Sequence, residues 1–208
     1  METIRFLLTQ KWNHMNAAIK NDKPNGVHAD TGSYLQKFFI DQLKDIYYAE
    51  KELTKGLAEM KKASSTEELE DAFEQHAKQT ERHIQRLEKV FQLIGQTAEG
   101  KKCEAIEGLL REARTIISET KDGTLTRDAA LIIAAQKIEH YEIATYGGLV
   151  QLAVTMGLGR AAGFLDKTLR EEEDTDRTLT YIAESFINVK AEQEGSYHWE
   201  KQGEKPVP

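Results

Sequence analysis

The chain has 208 residues, enough for one domain with extensions and a sizeable buried core. Its 39% hydrophobic and 30% charged residues, three prolines and net charge of −7 describe a soluble, helix-favouring mixture. That acidity excludes a general nucleic-acid surface and disfavours anionic membranes, and the single cysteine, Cys103, excludes an internal disulfide and suits a reducing compartment.

Residues 1–32 read as an N-terminal extension. Ile4, Leu7, Leu8 and Met15 allow a short helix, and the turn formers from Asn21 to Gly32 form a loop. The apolar run near Phe6 is too short for a secretory leader, and no stretch approaches the roughly 18 apolar residues of a membrane span. The expected location is cytoplasmic.

Residues 33–190 carry four long helical patterns with apolar spacings of three and four. The first runs from about Ser33 to Lys62, with the stripe Phe39, Leu43, Ile46, Glu50, Leu53, Leu57 and Met60. The second is capped by Ser65 or Thr66, carries Glu67 and Glu68 in its first turn, and stops at Gly95. Its stripe is Phe73, His76, Thr80, His83, Leu87 and Val90. A crossover with a short helix (Cys103 to Ser118) leads to the third, from Thr124–Thr126 to Met156, with Ile132, Ala135, Glu139, Glu142, Tyr146 and Leu149 inward. The fourth spans about Ala161 to Lys190, with Leu165, Leu169, Glu172, Asp176, Leu179, Ala183 and Phe186 inward. Residues 191–208 read as an irregular tail in which Tyr197 and Trp199 can pack. Two short-looped hairpins joined by one long crossover predict an all-α, ferritin-like four-helix bundle with a short extra helix in the crossover.

Seven ionisable residues interrupt these stripes: Glu50, His76, His83, Glu139, Glu142, Glu172 and Asp176. Each set lies near mid-helix, and helices of around 28 residues span about 42 Å, so the four midpoints can share one layer. Five carboxylates buried there uncompensated would titrate to neutral, whereas two divalent cations would nearly cancel their −5. Carboxylate and imidazole donors without thiolate suit iron, or else manganese. Glu139 and Glu142, at i and i+3, share a face. Taken singly, each residue also has a plainer reading. A lone histidine such as His83 is ordinarily a hydrogen-bonded core residue. A small rotation would expose Glu172, which stands between Glu171 and Glu173, and Thr175 can replace Asp176 as the inward residue. The Glu-x-x-His motif usual in di-iron bundles is absent, which leaves the exact ligand set open, with Gln79 as a further candidate. Tyr47, Tyr48, Tyr141 and Tyr146 invite an electron-transfer role but mostly read as packing or surface aromatics, Tyr146 standing nearest the layer, while Cys103 reads as buried packing and His140 as exposed.

The segments DQLKDIYYAEKEL (41–53), HAKQTERHIQRLEKVF (76–91), CEAIEGLL (103–110), AAQKIEHYEIATYGGL (134–149) and LDKTLREEEDTDRTLT (165–180) resemble the bacterial YciF/YciE family of ferritin-like, stress-associated proteins. The resemblance spans about residues 33–190 and leaves 1–32 outside. It implies a ferritin-like helical fold, homodimers or larger homo-oligomers, and a metal site between the four main helices; the family has no settled reaction.

Three functions remain in view. In the first, a di-iron or di-manganese protein reacts with peroxide or oxygen as a peroxidase- or ferroxidase-like oxidoreductase. Glu139 and Glu172 would bridge the ions, and the other residues would be terminal. Lacking a rubredoxin-type cysteine cluster, it would take electrons from an external donor or from Fe(II) itself. In the second, a non-catalytic helical stress protein uses the polar layer to fix helix or subunit pairing. The third, iron storage or DNA protection in a hollow shell, ranks lowest because there is no basic tail and nothing in the sequence indicates a cage.

Overall fold

The structure is a computed structural model that describes residues 32–194. The expected N-terminal helix, most of the extension and the tail residues Tyr197 and Trp199 lie outside that range.

Helix α1 (Tyr34–Ala63) is capped by Ser33, whose hydroxyl accepts the Gln36 amide at 3.2 Å. A three-residue turn leads into α2 (Glu67–Leu93), so the two form an antiparallel hairpin. The turn at Gly95 (φ 68°) ends α2 because a left-handed residue cannot continue the helix. The crossover then carries α3 (Glu104–Glu119), which lies against α1 and α4 (Leu125–Thr155). Gly157 (φ 73°) terminates α4 in the same way, and α5 (Gly159–Ile182) returns along it. Helices α2 and α5 pack together, as do α1 and α4, closing the four-helix bundle around a core that includes Phe39, Leu43, Phe73, Phe91, Leu131 and Leu165. Two hairpins joined by one long crossover is the expected connectivity.

Three local expectations change. Thr66 is the N-cap of α2, but its side chain makes no capping bond. Its hydroxyl instead donates to Asp128 Oδ2 at 2.8 Å, and Asp128 Oδ1 accepts the Ser65 amide at 2.7 Å. A residue from another helix thus closes the turn. At the end of α5, a π-helical segment (Ala183–Ile187) adds one residue to the turn. Ala183 stays inward, but Ile187 takes the fully buried position expected of Phe186. The chain then remains helical as α6 (Asn188–Glu194), four residues into the segment expected to be an irregular tail from 191. The Glu194 carboxylate accepts the amides of Leu125 and Thr126 at 2.7 and 2.9 Å, capping the start of α4 and fixing α6 against it.

Candidate metal centre

The four long helices place their mid-points side by side. Glu50 (α1), His76 and His83 (α2), Glu139 and Glu142 (α4) and Glu172 (α5) all meet there, each at most 2% exposed. The positions follow from the helical period. His76, Thr80 and His83 form one i, i+4, i+7 row, and Glu139, Glu142 and Tyr146 form another on the facing helix.

Within the layer, donor atoms converge in two groups. One donor each from His76, Glu139, Glu142 and Glu172 lie within 4.8 Å of one another, and Glu50, His83 and Glu172 form a second group of the same compactness. Glu172 belongs to both. His76 Nε2 lies 3.1 Å from Glu139 Oε1, and its Nδ1 lies 4.0 Å from Glu172 Oε2. His83 Nδ1 stands 2.8 Å from Glu172 Oε1 and 3.5 Å from Glu50 Oε1. None of these three inward nitrogens is aligned for a hydrogen bond.

The unpaired atoms are the most informative feature. Among the described residues, every buried side-chain nitrogen or oxygen without a hydrogen-bond partner belongs to this layer: Glu50, His76, Thr80, His83, Glu139, Glu142 and Glu172. Buried polar groups are otherwise almost always satisfied, so ten such atoms gathered in one region point to a shared ligand. Metal cations fit this donor set, since they would offset the negative charge of its four carboxylates.

Without such charge the layer compensates through protons. Burial opposes the charge on His76, but Glu139 and Glu172 outweigh it and hold its pKa at about 9. His83 rises to about 10, burial being overcome by Glu172 and Glu50. Burial, reinforced by Glu172, Glu50 and Glu139, drives Glu142 well above the ordinary carboxylate value. Burial also lifts Glu172 to about 7 against the pull of His83 and His76.

Of the seven residues expected from the stripes, the structure brings six together and leaves out Asp176. Asp176 is part-exposed, accepts a hydrogen bond from Gln136 Nε2 at 3.2 Å, and lies 3.5 Å from exposed His140. Four residues beyond Glu172, it is turned by about 40° around the helix and faces Gln136 and His140 of α4 instead of the ligand group. Gln79 is also outside, its carbonyl accepting from Thr175 at 3.4 Å.

Sequence reasoning missed the support around His83. Its Nε2 lies 2.9 Å from Glu171 Oε2, and Arg86 grips Glu171 through two hydrogen bonds of 2.7 and 2.8 Å. A basic residue three positions after a candidate ligand, beside the inward row, is the signal that could have found it. Of the four tyrosines, only Tyr146 reaches the layer, where its hydroxyl donates to Glu50 Oε1. Tyr47 and Tyr48 bond Glu88 and Glu107 elsewhere. Cys103 is buried, with its sulfur 3.1 Å from the hydroxyl of Tyr141.

Fold and site together define a four-helix bundle with a buried carboxylate–histidine layer. The domain-of-unknown-function family DUF892 matches residues 34–192, and the chain belongs to that family. Protein YciF of Escherichia coli K12 is 45% identical over 159 residues, which are 76% of this chain and 95% of YciF. The crystal structure of the E. coli stress protein YciF superposes with a TM-score of 0.71 at 43% identity, covering 76% of this chain and 99% of that one. YcfI from Rhodopseudomonas palustris gives 0.69 at 35% identity, covering 74% and 97%. The chain is a homologue of YciF, as the five quoted segments imply. No helix among the described residues is long and apolar enough to cross a membrane.

Proposed function

We propose that this is a ferritin-like di-metal protein of the stress response, holding two iron or manganese ions that share Glu172 and reacting with peroxide or oxygen. The observation that carries the reading is the confinement of the unpaired buried donors to one layer fed by four helices. Oxygen and imidazole donors without thiolate suit these ions. When bound, such a pair supplies Lewis acidity and one-electron redox capacity.

The chain's own groups prepare that chemistry. His76, Glu139, Glu142 and Glu172 would hold one ion, and Glu50, His83 and Glu172 the other. Tyr146 fixes Glu50 through Oε1 and leaves Oε2 unpaired for a metal. Thr80 Oγ1, buried and unpaired, offers a hydrogen bond to a small oxygen-containing ligand in the layer. Burial keeps bulk water out and strengthens each of these interactions. Reducing equivalents would come from an external donor or from Fe(II) itself, because Cys103 is the sole cysteine. We further propose a homodimer or larger homo-oligomer, for which exposed Tyr34, Phe38 and Tyr181 supply apolar surface.

Metal analysis of protein purified without added metal tests the reading. About two ions per chain are expected, with marked loss in Glu50→Ala and Glu139→Ala, and iron-loaded protein should consume peroxide. Absence of metal, with a thermal midpoint unmoved by Fe(II) or Mn(II), would sink the proposal, because a ligand bound only to the folded state must stabilise it. The reading of the layer as a non-catalytic device for helix pairing is favoured by one observation. The His83–Glu171–Arg86 chain ties α2 to α5 without any ion. Retention of full thermal stability on metal removal would favour it.

A further inference from the structure

The two histidines of the layer differ in what stands behind them. Both ring nitrogens of His76 face carboxylates of the site itself, Glu139 at 3.1 Å and Glu172 at 4.0 Å. His83 instead divides its ring. Nδ1 faces Glu172 and Glu50 inside the layer, and Nε2 faces outward to Glu171 Oε2 at 2.9 Å. Glu171 lies on α5, next to Glu172. From α2, one turn beyond His83, Arg86 holds it in a two-pronged grip, Nη1 to Oε2 at 2.7 Å and Nη2 to Oε1 at 2.8 Å. Arg86 Nη1 also reaches Thr168 Oγ1 at 3.2 Å, which steadies the guanidinium on the α5 side.

A carboxylate that accepts the Nε2–H of an imidazole does two things. It selects the tautomer with a free lone pair on Nδ1, and it makes that lone pair more basic toward a metal. The guanidinium fork holds the carboxylate plane in place, so the ring cannot turn about its axis without breaking a buried, charge-assisted pair. Among the described residues, no such carboxylate–guanidinium pair stands behind His76.

We propose that Glu171, clamped by Arg86, is a positioning residue that locks His83 as the Nε2–H tautomer with Nδ1 presented to the Glu50/His83/Glu172 half of the centre. This half therefore has its metal affinity set separately from the half built on His76. The inference rests on the di-metal reading above.

The full-length protein, stripped with a chelator and titrated with Co(II), tests it. Wild type should bind two ions. Glu171→Ala should weaken one of them by about 10–100-fold and leave the other unchanged. Glu171→Gln, whose amide oxygen can still accept Nε2–H, should keep most of that affinity, and Arg86→Lys, which keeps the charge but loses the fork, should fall between. A merely structural role would lower stability alike in any background. Positioning instead requires that Glu171→Ala have no further effect on cobalt binding once His83→Ala is present. In the zinc-loaded protein, nitrogen and proton NMR of labelled histidine should show the Nε2–H of His83 shifted by a strong hydrogen bond in wild type and Glu171→Gln, and that shift lost in Glu171→Ala. Two ions bound with unchanged affinity in Glu171→Ala, or equal weakening of both, would overturn this inference alone. A wild type that binds no ion overturns the di-metal reading, and this inference with it.

Discussion

Two groups of carboxylates interrupt the buried or interhelical surface, and they are treated oppositely. At the end of the bundle, Asp128 is fully buried yet both its oxygens are used, by the Ser65 amide and the Thr66 hydroxyl. Nearby, Glu194 accepts two backbone amides and the Thr126 hydroxyl. In the middle, Glu142 is equally buried and neither oxygen has a partner, and the oxygens of Glu172 meet only the histidines of the layer, without an aligned hydrogen bond. Burial of a carboxylate therefore says little about its role. The satisfied ones join helix ends, whereas the unsatisfied ones keep lone pairs free for something that is not part of the polypeptide.

The largest expected effect is in the pH dependence of the metal-stripped protein. His76 and His83, at about 9 and 10, lie above the ordinary histidine value of 6.5. Their contribution is complete below about pH 6.5 and is lost as pH rises through 9 to 10. The raised Glu142 and Glu172 act in the same sense, since the folded state keeps their protons from pH 4.5 upward and loses that advantage as they ionise. Stability should thus fall by on the order of several kcal/mol between pH 6.5 and 10. Glu194 carries the opposite sign. Burial would raise it, but the Leu125 and Thr126 amides hold it below the carboxylate norm, so its contribution is lost as pH falls through that depressed value. Urea denaturation across this range checks the slope, and a flat alkaline limb would remove the distinction between the two groups. Metal affinity should rise over the same interval, because the ligands must shed protons to bind.

Next in size is Asp128→Ala, which strands the Ser65 amide and should cost about 2 kcal/mol with metal stoichiometry unchanged. Calorimetry alongside metal analysis tests both halves of that statement, and a change in stoichiometry would mean that the ends and the middle are not independent. The smallest effect is the most diagnostic. Glu142→Leu replaces an unsatisfied buried carboxyl with an apolar group of similar size, and should raise metal-free stability by about 1 kcal/mol while weakening metal binding. Destabilisation instead would show that Glu142 is there for packing.

Much of this was readable from residue order. The apolar period of three and four, broken at Glu50, His76, His83, Glu139, Glu142 and Glu172, located the helices and the shared layer, because side chains on one helical face recur at those spacings. Asp176 satisfied the same spacing and yet lies outside. A stripe specifies direction around a helix only loosely, and the turn of about 40° over four residues lets Asp176 face Gln136 and His140 of α4 instead of the ligand group. The π-helical segment likewise moved the buried position from Phe186 to Ile187 through hydrogen bonding that no spacing announces.

The buried carboxylates themselves mark the division between the two sources. Sequence alone determined that charged residues stand where the helical period calls for apolar ones, since that depends only on local geometry and composition. Tertiary structure decided which of them are satisfied. The partners of Asp128 lie more than sixty residues away and that of Glu171 on another helix, whereas Glu142 and Glu172 meet only other ligands. Hydrogen-bond satisfaction is a property of contacts between distant segments, and only the folded chain brings those segments together.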